Sequence, residues 1–121
     1  MKIIYTKSAP EPVGPYSQAI LAGDTLYCSG QIGINPIEGR LVEGLEAQCE
    51  QVMKNISEVL KEAGFSYDNI IKTTCFLSDM NNFSKFNEIY AKYFTSIPAR
   101  SCVQAILPKG ALVEVEVIAS K

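Results

Sequence analysis

The sequence predicts an α+β domain, a mixed β-sheet packed on one face by two helices. Three observations carry that prediction. Apolar residues recur at three- and four-residue steps over residues 45–63 and again over 82–94, the period of helices buried on one side. Strand-like runs stand before, between and after these stretches, in the order β-β-α-β-α-β-β. The last run, 112–119, alternates valine with other residues, as a strand covered on one side does.

Each element has its own signal. Ile3, Ile4 and Tyr5 make a short edge strand in front. Pro10, Pro12, Gly14 and Pro15 then interrupt regular structure. Runs 16–22 and 25–32 flank Gly23-Asp24, a hairpin step. Asn35-Pro36 and Glu38-Gly39 mark a loop. The first helix carries Leu45, Cys49, Val52, Ile56, Val59 and Leu60 on one side, and Gly64 stands where its end needs a left-handed residue. Residues 70–77 are β-rich and apolar and predict a buried strand. The second helix is aromatic, with Phe83, Phe86, Tyr90 and Tyr93 assigned to the core. Pro98 ends that region, and strands 100–107 and 112–119 are expected around a Pro108-Lys109-Gly110 turn. Strand–helix–strand units call for crossovers, hairpins call for antiparallel pairs, and a mixed sheet with both helices on one face satisfies both.

The composition narrows the function classes. The 121 residues read as one domain over 1–121, long enough to bury a core without staples, and 47% are hydrophobic. Eleven basic residues are scattered singly in a chain of net charge -2, which argues against a nucleic-acid partner. No stretch has the length of a membrane span or the pattern of a signal peptide, so a cytoplasmic, membrane-free protein is expected. Cys28, Cys49, Cys75 and Cys102 show no CxxC spacing and read as free thiols. There is no histidine, so chemistry falls to carboxylates, tyrosine, cysteine, lysine or water.

Arg100 opens an otherwise uncharged strand and shares a face with Cys102 and Gln104 by alternation. Its planar fork suits a bound carboxylate, but it equally suits an ion pair with Glu114 or Glu116. The pattern leaves both open. On the last strand Val113, Val115 and Val117 point to the helices, while Leu112, Glu114, Glu116 and Ile118 share the other face. A face that mixes two carboxylates with apolar residues suits a subunit interface with a polar cleft. The two glutamates are an acid/base pair or simply solvated charges. Ser29-Gly30-Gln31 is a turn able to present N–H groups to an anion, and Cys102 has no histidine to activate it.

Taken together, five stretches resemble the RidA family of reactive-intermediate imine deaminases, also called YjgF-like proteins. They are Gly14-Pro15-Tyr16-Ser17-Gln18-Ala19, Ser29-Gly30-Gln31-Ile32, Lys72-Thr73-Thr74, Pro98-Ala99-Arg100-Ser101-Cys102-Val103, and the run from Leu107 to Glu116. The resemblance implies a chorismate-mutase-like fold assembled as a homotrimer, with active sites in clefts between subunits. It implies that Arg100 clamps the substrate carboxylate, that Glu114 orients or activates water, and that Tyr16, Ser29, Gly30, Asn87 and Cys102 line or shape the site. It further implies hydrolysis of 2-iminopropanoate and 2-iminobutanoate to 2-keto acids and ammonia, with no metal and no cofactor. Alternatives within the resemblance are a regulatory member that binds keto acids without turnover and an endoribonuclease or translation inhibitor. A trimer with a structural or chaperone-like role is a further one. One departure stands out: many members carry one more residue between the arginine and the Leu-Pro-Lys turn. Its loss either removes a bulge or shifts register, with Glu116 as the fallback for Glu114.

Overall fold

The computed structural model describes all 121 residues. In chain order the strands are β1 (Lys2–Ile4), β2 (Ala19–Ala22), β3 (Thr25–Cys28), β4 (Gln31–Ile32), β5 (Ile34–Asn35) and β6 (Arg40–Leu41). Helix α1 (Leu45–Glu62), β7 (Ile70–Leu77), α2 (Phe83–Tyr93), β8 (Ala99–Gln104) and β9 (Val113–Ser120) follow. The main sheet has the order β1-β2-β3-β9-β7-β8, with β4 also lying against β9, while β5 and β6 form a separate small hairpin. Only β7 and β8 are parallel, joined by the crossover through α2. The expected mixed sheet with two helices on one face is the observed one.

Helix α1 ends as its sequence asks. Gly64 adopts φ 80°, and the N–H groups of Phe65 and Gly64 reach back to the carbonyls of Leu60 (2.8 Å) and Lys61 (3.0 Å). That is a complete Schellman closure. The apolar stripe of α1 meets Val113, Val115, Val117 and Ala119 of β9, all essentially inaccessible to solvent. Two buried amides of α1 do a different job. Asn55 donates to the carbonyls of Ile32 (3.2 Å) and Ile34 (3.0 Å), and Gln48 accepts from the Leu112 N–H (2.9 Å). They tie down β4 and the start of β9, where ladder pairing is shortest.

Three expectations are corrected. The run 16–22 is strand only from Ala19, because its partner β1 ends at the Ile4–Ala19 pair. Upstream, the Gln18 side chain replaces the ladder, bonding Thr6 N, Thr6 O and Pro10 O. The run 25–32 is broken at Ser29-Gly30. Tyr27 pairs with Ile118 and Gln31 with Val115, so four steps on one strand face three on the other, a β-bulge. Finally, the last two strands are not neighbours. Strand β7 lies between them, with β8 parallel on one side and β9 antiparallel on the other. The β7–α2–β8 crossover claims the free edge of β7, so the Pro108–Gly110 turn carries the chain across the end of β7 instead of closing a hairpin. The register of β8 against β7 runs unbroken from Lys72–Ala99 to Leu77–Gln104. The shorter segment after Arg100 therefore leaves no bulge in this pairing.

The opposite face of the sheet has no helix over it. Ile3, Tyr27 and Val103 are about half or more exposed there, beside the half-buried Ile118 and Phe76.

A candidate active site in two halves

Register fixes which residues share a face. Arg100 pairs with Thr73, and Thr73 with Val117, a row on the helix side. Glu114 pairs with Phe76, and Phe76 with Val103, a row on the uncovered side. Arg100 and Glu114 of one chain are thus separated by the sheet itself. The ion pair that the sequence left open does not form. No salt bridge of the chain includes Arg100, Glu114 or Glu116.

The first half gathers around Arg100. Its Nη1 donates to Asn87 Oδ1 at 2.8 Å. Its Cζ lies 4.7 Å from the centre of the Tyr90 ring and 5.4 Å from that of Phe83. A neutral amide and two aromatic faces hold the guanidinium without cancelling its charge. An open groove of about 640 Å³ adjoins it, walled by Tyr90, Ala91, Phe94, Ile97 and Pro98. Cys102 is on the same side, packed against the core. Burial pushes its thiol up, and Arg100 offsets this only in part, so it is a protonated thiol at neutral pH.

The second half is a cleft of about 370 Å³ on the other side of the sheet. Glu11, Tyr16, Ser29, Gly30, Gln31, Lys109 and Glu114 are among the residues that line it. The bulge makes this cleft. It places Gly30 against the Glu114 side chain so closely that a Cβ there would lie 2.2 Å from Oε2. Ser29 is spent on structure: its N–H bonds Gln18 O and its hydroxyl donates to Ser17 O at 2.6 Å. Glu114 is half-buried, and that burial, with Glu116 as a lesser cause, raises its pKa above the usual carboxylate range. A carboxylate whose pKa is raised by desolvation accepts a proton more readily than an exposed one.

Of the residues singled out in the sequence, Tyr16, Ser29, Gly30 and Glu114 come together in one cleft, and Asn87, Arg100 and Cys102 in the other region. Glu116 lies outside the cleft lining. The sequence reading missed Phe83 and Tyr90 by assigning them wholly to the core. Their spacing with Asn87, at i, i+4 and i+7, was the available signal of one helical stripe facing Arg100. Lys109 and Glu11 were also missed.

Known proteins align with this arrangement over nearly the whole chain. The family described as Endoribonuclease L-PSP matches residues 6–121. A relative from Lactococcus lactis named as the putative regulator AldR is 54% identical, over 98% of this chain and 97% of its own. The human 2-iminobutanoate/2-iminopropanoate deaminase is 48% identical, over 98% of this chain and 88% of its own. Among solved structures, the Rid-family protein YyfA of Yersinia pestis superposes with a TM-score of 0.96 at 55% identity, covering 99% of this chain and 98% of that one. With 116 of its residues inside the family match and near-superposable structures on every side, the chain belongs to the RidA (YjgF-like, Endoribonuclease L-PSP) family.

Proposed function

We propose that this protein hydrolyses small 2-imino acids, with 2-iminopropanoate and 2-iminobutanoate as substrates, to 2-keto acids and ammonia. The observation that carries the reading is the state of Arg100. It is a held cation with no acid of its own chain beside it and an open groove alongside. A carboxylate-bearing guest is the natural complement.

The two halves require a second copy of the chain. In the homotrimer proposed here, the Arg100 half of one protomer faces the Glu114 half of its neighbour. The uncovered, partly apolar sheet face supports such an assembly, since it is broad and lacks a helix.

The reaction asks little of the protein. Arg100 takes the substrate carboxylate, leaving the C=N carbon toward Glu114. That carbon is already electrophilic, more so when the nitrogen is protonated, so neither metal nor cofactor is called for. Water attacks it, and Glu114 takes a proton from the water as the C–O bond forms. Glu114 then returns that proton to nitrogen. Ammonia leaves with the C–N electron pair, and loss of the remaining hydroxyl proton gives the keto acid. Positioning supplies most of the acceleration, and proton transfer the rest.

A second reading is favoured by one observation, the 54% identity to a relative named as a regulator. In that reading Arg100 binds keto acids without turnover. One assay separates the two. A pyridoxal-phosphate dehydratase generates 2-iminopropanoate, and keto-acid release is followed with and without the protein. Acceleration that disappears in Arg100→Ala supports the enzyme. Equal rates with and without protein, together with pyruvate binding, support the regulator.

A further inference from the structure

The Lys72-Thr73-Thr74 stretch belongs to the resemblance, yet none of its residues lines either half of the site. Thr73 is completely buried and sits beside Arg100 in the β7–β8 register. Its hydroxyl is 2.8 Å from the Tyr90 hydroxyl, and either group can donate. The far side of the Tyr90 ring is packed: Phe94 stacks on it at 4.1 Å between centres, and Phe86 lies 5.6 Å away. The ring is therefore braced by packing and pinned at its polar tip, with the Arg100 guanidinium 4.7 Å from its centre.

We infer that Thr73 and Tyr90 are a positioning pair, a buried hydroxyl latch that fixes the aromatic platform under Arg100 and so aims its free N–H groups at the ligand carboxylate. The ligand's identity here rests on the deaminase reading; the latch does not. Asn87 holds one end of the guanidinium. A second, face-on constraint is what keeps a planar fork from pivoting about that one hydrogen bond, and a ring can serve only if it is itself fixed. The sheet supplies that fixture, because the residue directly beside Arg100 is the one that holds the ring.

The test compares wild type with Thr73→Val, Tyr90→Phe, Thr73→Ser and the Thr73→Val/Tyr90→Phe pair, after melting curves establish that each folds. Relaxation of the Arg100 Nε–H signal in ¹⁵N-labelled protein without ligand reads the order of the guanidinium. Titration with pyruvate reads its consequence, and steady-state kinetics separates KM from kcat. Thr73→Val and Tyr90→Phe should each loosen the Nε–H and weaken pyruvate binding about fivefold, the worth of one net hydrogen bond. KM should rise with kcat little changed, because a grip on the carboxylate is shared by ground and transition states. Thr73→Ser should restore wild-type behaviour, and the double variant should be no worse than the worse single one. An Nε–H signal equally ordered in Thr73→Val and Tyr90→Phe overturns the inference, as does Thr73→Ser as damaged as Thr73→Val. If Thr73→Val fails to fold, Tyr90→Phe and Thr73→Ser decide by the same readouts. Wild-type protein that neither binds pyruvate nor hydrolyses the imine sinks the deaminase reading, while the ligand-free relaxation comparison still decides the latch.

Discussion

Arg100 and Glu114 stand on one sheet in opposite environments. Arg100 is on the edge strand β8, steadied by an amide and aromatic faces that leave its charge uncancelled. Glu114 is on the interior strand β9, in a cleft opened by a bulge, and is tuned chiefly by removal of water, with the Glu116 charge adding to it. The cation is made ready by what touches it and the acid by what does not. Their separation by the sheet also keeps them from neutralising each other within one chain.

The largest effect that tests this contrast is expected from Arg100→Ala. If Arg100 grips the substrate carboxylate as proposed, its loss should lower kcat/KM for 2-iminopropanoate by about a thousandfold. Glu114→Gln should cost about 10²–10⁴-fold, mostly in kcat. The wild-type rate should fall as pH drops through the raised pKa of Glu114, since only the ionised form accepts a proton from water. Glu114→Gln should lose that acid limb. Co-refolding these two variants together should restore up to about a quarter of wild-type activity, because a shared site needs one intact half from each of two protomers. No recovery in verified mixed oligomers would break the two-copy arrangement.

A smaller and more local effect is expected at Gly30. In Gly30→Ala the added Cβ meets the flexible end of Glu114, so the fold should survive while the carboxylate moves. We expect an almost unchanged melting temperature and a fall in kcat of about a hundredfold. Smallest of all is Glu116→Gln, with a rate within about twofold of wild type at neutral pH. Its signature lies in the pH profile. Glu116 helps raise the Glu114 pKa, so removing that charge should move the acid limb to lower pH. A loss as large as that of Glu114→Gln would reassign the base.

Periodicity made α1, β7 and the valine face of β9 legible, because each is set by a local repeat against one core. The same alternation correctly grouped Arg100 with Cys102 and Glu114 with Glu116. It did not say which strands are neighbours. That is settled by β7 taking the position between β8 and β9, a competition among strands that no single strand encodes. Hence the sequence allowed an Arg100–Glu114 pair that the sheet forbids. Gln18 standing in for a strand and the Ser29-Gly30 bulge were hidden for a related reason, since both depend on where a distant partner strand stops. Phe83 and Tyr90 were read as core because an aromatic stripe looks the same whether it meets leucine or a guanidinium.

The unequal residue count between the Tyr27–Ile118 and Gln31–Val115 pairs has an evolutionary side. Deleting one residue there would let the strands zip evenly, a change that selection for thermal hardiness alone would favour. It would also remove the bulge that sets Gly30 against Glu114 and so close the hollow where the acid sits. Length variation in this family should therefore be tolerated at the β5–β6 tip and suppressed at this short kink, with sequence drift confined by geometry more than by the chemical identity of any one side chain.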